Sequence, residues 1–166
     1  MKLPYVAVSA LLALVVACES GSTAVERPPP SRAIARLPEQ ILGLKVVEEN
    51  VATEIRGVSG TYVDSLGLFS FREENDLLRA TVQVGRFNDV AEPKKQRFRN
   101  AIVAQLGSTV PAQLKVGDRI IYLTTGSEQS IFSWFDDVGF YVLSVRSDYA
   151  FPRSLLRKLV ETQLIA

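Results

Sequence analysis

The sequence predicts an α+β domain: an antiparallel sheet of about five to six hairpin-linked strands with two helices packed on one face. Three observations lead there. Short apolar or alternating stretches are separated by polar turn residues at hairpin distances. Two longer stretches instead repeat their apolar residues every three or four positions, and each has a proline at its start. The helical stretches do not alternate one for one with strands, so the pattern is not that of a parallel βαβ sheet.

Taken in order, Leu37 to Leu44 reads as a lead-in of one helical turn, and Lys45 to Val51 as a first strand. Thr61 to Arg72, with Tyr62, Val63, Leu66, Leu68, Phe69 and Phe71, predicts a strand interrupted near Gly67. After the polar turn Glu73-Glu74-Asn75-Asp76, Leu77 to Phe87 alternates cleanly. Leu78, Ala80, Val82 and Val84 share one face, and Arg79, Thr81 and Gln83 the other. These two strands form a hairpin. Pro93 to Leu106 is a helix, with Phe98, Ile102 and Leu106 every four residues, stopped by Gly107. Gln113 to Thr125 holds a strand after a turn at Val116-Gly117-Asp118. Ser130 to Phe135 and Phe140 to Arg146 are the last strands, joined through Asp136 to Gly139. A final helix opens at Phe151-Pro152 and carries the stripe Leu155, Leu156, Leu159, Val160 and Leu164.

Ahead of this domain, residues 37–166, stand two segments of different composition. Lys2 and the apolar run from Val6 to Ala17 form a charged start and a core too short for a bilayer span of about 20 residues. Residues 1–17 therefore read as a signal peptide. Residues 18–36 are small and polar, then rich in proline, a composition that cannot bury apolar surface. They read as a tether with an rms reach of about 25 Å.

Between the two lies Cys18, the single cysteine of the chain, closing Leu14-Val15-Val16-Ala17-Cys18. This run resembles the bacterial lipoprotein lipobox. That resemblance implies acylation of the Cys18 thiol and cleavage before it, so that an acyl anchor holds the domain outside the cytoplasm. Glu19 is not the aspartate that favours inner-membrane retention. The expected location is the outer membrane of a Gram-negative cell, or otherwise the outer face of the cell membrane. The competing reading is an ordinary cleaved leader that leaves a terminal cysteine. Either way no intramolecular disulfide is available, and the domain must hold together by its core. The order hairpin, helix, meander, helix also resembles PsbP-like lipoprotein domains, a likeness of element order that carries no function.

Composition narrows the chemistry. Removing Lys2 with the leader leaves 18 cations against 18 carboxylates, and a near-neutral extracytoplasmic domain is no nucleic-acid binder. The chain has no histidine, which removes Ser-His-Asp triads, Cys-His pairs and histidine zinc sites. Gly57-Val58-Ser59-Gly60 lacks the lysine and the setting of a phosphate loop. Paired acids occur at Glu73, Glu74 and Asp76, and at Asp136 with Asp137. They sit side by side in turns rather than across a cleft, and calcium-loop spacing is absent. No cofactor, metal or catalytic residue is expected.

Two surface features stand out. Lys94, Lys95, Arg97 and Arg99 place four cations in the opening turns of a helix, where the dipole favours anions. They are candidates for an anion site, against the plainer reading of a solvated basic face compensated by Glu92. Arg153, Arg157 and Lys158 repeat the theme in the last helix. The second feature is the aromatic hairpin, with Phe132, Trp134, Phe135 and Tyr141 as candidate partner or ligand surface and Phe140 beside them. Alternation sends apolar groups to both sheet faces, so a two-sided core is the alternative. The sequence thus points to a non-enzymatic, membrane-anchored accessory or protein-interaction domain with an envelope protein as partner. A carrier for a lipid or anionic small molecule is the alternative, and an enzyme of unfamiliar type comes last.

Overall fold

The computed structural model describes residues 36–49, 63–87, 92–105, 111–162 and 164, leaving aside the side chains of 64, 93, 94 and 102–105. Alternating apolar residues fold as eight strands: β1 (Gln40–Ile41), β2 (Leu44–Glu49), β3 (Val63–Arg72), β4 (Leu78–Phe87), β5 (Ala112–Val116), β6 (Arg119–Thr125), β7 (Gln129–Phe135) and β8 (Gly139–Arg146). The 3.6-residue periodicities fold as α1 (Glu92–Gln105) and α2 (Pro152–Glu161).

All the strands belong to one antiparallel sheet of order β1-β2-β3-β4-β8-β7-β6-β5. Two four-stranded meanders, each followed by a helix, meet along β4 and β8. Ala80 lies opposite Val145 there, and Val84 opposite Tyr141.

The sheet has more strands than expected because short hairpins were hidden. The lead-in at 37–44 is not a helical turn. It is β1 and a two-residue turn in which Leu42 (φ 51°) and Gly43 (φ 78°) both take left-handed conformations. Such turns match strand twist and ordinarily use Asn-Gly, so a leucine in the first place masks the signal. At 112–125 there are two strands around Gly117 (φ 60°) and Asp118. β3 runs unbroken through Gly67, which pairs with Val84, and its irregularities fall at Val63/Ser65 and Phe71/Arg72 instead.

The two helices lie on opposite faces of the sheet, not on one. Leu155, Leu156 and Leu159 of α2 pack with Phe69, Phe71, Val82, Val84, Phe132, Trp134, Tyr141, Leu143 and Val145. Phe98 of α1 packs with Val63, Phe87, Phe140 and Val142, whose side chains alternate to the other side. An amphipathic helix needs an apolar surface, and β8 offers one on both faces through its continuous run Phe140 to Leu143. The Phe140 ring lies directly over Gly85, where a Cβ would collide with it.

Candidate functional site

The β7–β8 turn is organised by one carboxylate. Asp136 Oδ1 accepts from the backbone N–H of Val138 (3.0 Å) and Gly139 (2.8 Å), which closes the turn. Its Oδ2 accepts from Arg119 Nη1 (2.7 Å) on β6 and from the Tyr141 hydroxyl (2.9 Å) on β8. Tyr141 stacks on Trp134 with centroids 5.1 Å apart and planes at 8°. Burial, and the Asp136 charge beside it, push the Tyr141 phenol well above its ordinary value. This acid, one of those considered for catalysis, has both oxygens engaged in holding three strands and a turn together.

Two cations of α1, Lys95 and Arg99, turn toward the same loop. Lys95 Nζ donates to the Asp137 carbonyl (3.3 Å) and Arg99 Nη2 to the Asp136 carbonyl (2.9 Å). Both also stand over the Phe87 ring, at 5.8 and 5.5 Å. Arg99 Nη1 pairs with Glu92. Arg97 points to solvent, and the side chain of Lys94 lies outside the described residues. Lys95 and Arg99 therefore dock α1 on the sheet through backbone carbonyls, and the exposed Arg97 does not join them.

The aromatic hairpin is not an exposed surface. Trp134 is 1% exposed, Phe132 and Tyr141 are also buried, and all three lie under α2. Phe135 is half-buried against the cluster on the α1 face. Apolar groups of both parities on β7 and β8 meant coverage of both faces.

The opposite end of the sheet holds an ion-pair ladder that the sequence did not reveal as a unit. Arg72, Arg79 and Arg146 project from neighbouring strands on the α1 face. Arg72 pairs with Glu49 (3.2 Å) and Asp76 (3.5 Å). Arg79 pairs with Glu73 (2.8 Å) and Asp148 (3.0 Å), and Arg146 with Asp148 (3.0 Å). The Ser70 hydroxyl donates to Glu49 and accepts from Arg72 Nε. That hydroxyl first, and Arg72 with it, hold the Glu49 carboxyl below its usual range. Arg146 and Arg79 do the same for Asp148. Polar alternation in β4 was the signal that pointed to Arg79; the partners come from turns whose approach only the topology fixes.

Beyond the ladder, the rim of that end is apolar at its tips. No protein-family model, curated protein or solved structure matches this chain. Leu42 is 50% exposed in the β1–β2 turn, Leu77 39% exposed after the β3–β4 turn, and Phe151 62% exposed beyond β8. Gly43 lines a shallow cleft with Glu73, Glu74 and Asn75, so the first two turns are neighbours. A left-handed leucine costs about 1–2 kcal/mol of backbone strain, which burial does not offset here. Phe151 occupies the N-cap of α2 and makes no side-chain capping bond, where serine, aspartate or asparagine would stabilise the helix by about 1 kcal/mol. Arg153, Arg157 and Lys158 lie exposed on α2 and form no ion pair among the described residues.

Proposed function

We propose that this protein is a lipid-anchored, non-enzymatic accessory domain of the cell envelope, held at an outer membrane face by acyl chains on Cys18 and acting through contacts with an envelope protein. The observation that carries the reading is the run Leu14 to Cys18, an apolar leader ending in the chain's single cysteine. Leu37, where the tether composition ends, packs against the main core. Under this proposal residues 1–17 are the leader, 18–36 the tether and 37–166 the domain.

A non-enzymatic role is supported by how the acids are used. Asp136 is consumed by its turn, Arg119 and Tyr141, while Glu73 and Asp76 are paired with arginines. Catalytic carboxylates instead have to face a substrate. The carrier alternative needs room between sheet and helices. Leu155, Leu156 and Leu159 fill that space on one side, and the Phe98 ring sits 5.3 Å from Phe140 on the other.

The test is Cys18→Ser in the native host with an alkyne fatty acid as label. The parent protein should incorporate label and fractionate with membranes. The variant should do neither and appear in the soluble envelope fraction. A variant that stays membrane-bound, or an unlabelled parent, would overturn the anchored reading.

A further inference from the structure

We infer that the rim formed by Leu42, Leu77 and Phe151 rests on a phospholipid bilayer, with the cations at the start of α2 meeting its phosphates. The inference extends the anchored reading above by giving the domain an orientation on its membrane.

Register places these three tips at one end of the sheet. β2 begins beside Leu42, β4 beside Leu77, and β8 ends shortly before Phe151. They are three of the five exposed large apolar side chains among the described residues. Two of them stand where a different residue would serve the fold better, at a left-handed turn position and at an uncapped N-cap. Single exposed apolar residues are ordinary; three on neighbouring turn tips, two of them against local preference, fit a function outside the domain.

The charges agree with a lipid surface. At this end Arg72, Arg79 and Arg146 are engaged by Glu49, Glu73, Asp76 and Asp148, so the ladder holds three cations against four carboxylates and offers anionic lipid no net attraction. Arg153 stands two residues from Phe151 in the first turn of α2, with Arg157 a turn further, and neither has a carboxylate partner among the described residues. Glu74 and Glu128 are also exposed at this end, so the attraction to anionic lipid is local to α2. An aromatic tip beside unpaired basic side chains is the chemistry of an interfacial contact.

The length of chain ahead of the domain points to the bilayer rather than another occupant. The Glu39 carbonyl accepts from Val46 N–H, three residues past the β1–β2 turn, so the first residue of the domain, Leu37, stands within about 17 Å of the rim along the chain. With an acyl group on Cys18 and an rms reach of about 25 Å, the rim comes within range of lipid. A contact too weak for a free domain then becomes effective, because the anchor makes it intramolecular.

The test uses the acylated mature protein in liposomes of phosphatidylcholine with phosphatidylglycerol. Acylation occupies Cys18, so Leu42→Cys, Leu77→Cys, Phe151→Cys and, at the opposite end, Val138→Cys can each carry one environment-sensitive fluorophore. Labels at 42, 77 and 151 should be quenched by nitroxide lipids several-fold more strongly than the label at 138. Arg153→Glu with Arg157→Glu should reduce quenching at 151 in these vesicles and leave it unchanged in pure phosphatidylcholine. Equal quenching at both ends, or stronger quenching at 138, overturns the inference. So does a blue shift at 151 that needs no vesicles and grows with protein concentration, which would assign the rim to a second copy. Mass analysis of the same sample reports acylation separately. If the chain proves unacylated, the anchored reading fails, and sedimentation of the labelled chain with the vesicles decides the rim alone: binding lost in Phe151→Ser upholds it, and no binding overturns it.

Discussion

The two faces of the sheet are both covered, yet they are built from different chemistry. The face under α2 is apolar from Ile41 and Leu44 on one side to Leu114 and Val116 on the other, with the Asp136–Arg119 pair at its end beside Tyr141. The face under α1 holds a smaller apolar cluster and every buried polar residue identified among the described residues: Ser70, Gln83, Ser133 and Ser144. The arginine ladder belongs to this second face as well. The difference teaches where stability resides. Apolar burial on the α2 face contributes most of the driving force, while the α1 face gives part of its area to hydrogen bonds and ion pairs whose net contribution is small.

Substitutions can break that comparison. Trp134→Ala on the α2 face should cost about 3–5 kcal/mol and bring the whole domain near unfolding. Phe98→Ala on the α1 face falls in the same chemical class, but its ring serves one helix. Denaturant unfolding followed by far-UV circular dichroism should show α1 lost in a separate, earlier step while the sheet transition moves little. A single shared transition, displaced as far as for Trp134→Ala, would make the two faces energetically equal.

A smaller effect is expected at Asp136. Asp136→Asn keeps an oxygen for the turn amides and removes the charge paired with Arg119, at about 1–2 kcal/mol. It also reads out Tyr141. A phenol whose folded pKa is raised contributes stability that is present in full below the ordinary value of about 10 and lost as pH rises through the folded value. Ultraviolet titration should therefore find Tyr141 the last tyrosine to ionise in the parent protein, after Tyr149, whose phenol burial also raises. In Asp136→Asn it should ionise earlier, because the adjacent negative charge is gone.

The smallest effect belongs to the ladder. The Glu49 carboxyl is held low by Ser70 and Arg72, so its contribution is present above about pH 4.3 and fades as pH falls through the depressed folded value. Glu49→Gln should flatten the acid limb of the stability profile by about 1 kcal/mol or less. An unchanged acid limb would place the linkage elsewhere.

Much of this was legible in sequence because the strands keep their period. β4, β7 and β8 fall within a residue of their expected bounds, and the stripe of α2 is buried as its spacing implied. The readings that failed share a physical cause. Backbone sign at Leu42 is not written in a leucine, so the β1–β2 hairpin passed for a helical lead-in. The amphipathic stripe of a helix says that it will be covered but not by which sheet face, and α1 and α2 take opposite ones. The Asp136 cluster joins three strands, and its members become neighbours only once β6, β7 and β8 are paired. Lys95 and Arg99 are unfavourable beside a helix N-terminus in the sequence alone, and the carbonyls of Asp137 and Asp136 are their acceptors in the fold.

The seam between β4 and β8 has a kinetic meaning. Within each meander, neighbouring strands follow one another in the chain, so β1 to β4 and β5 to β8 can each zip from their own hairpins. Only the seam joins distant segments, opposing Ala80 to Val145. The entropy of closing a long loop then falls on this one pairing, which makes it the slow event of assembly. Until it forms, the inner edges of both half-sheets are open to pairing with another molecule. An exchange of halves along that seam, giving a dimer in which β4 of one chain lies beside β8 of the other, is the misassembly this topology most readily permits.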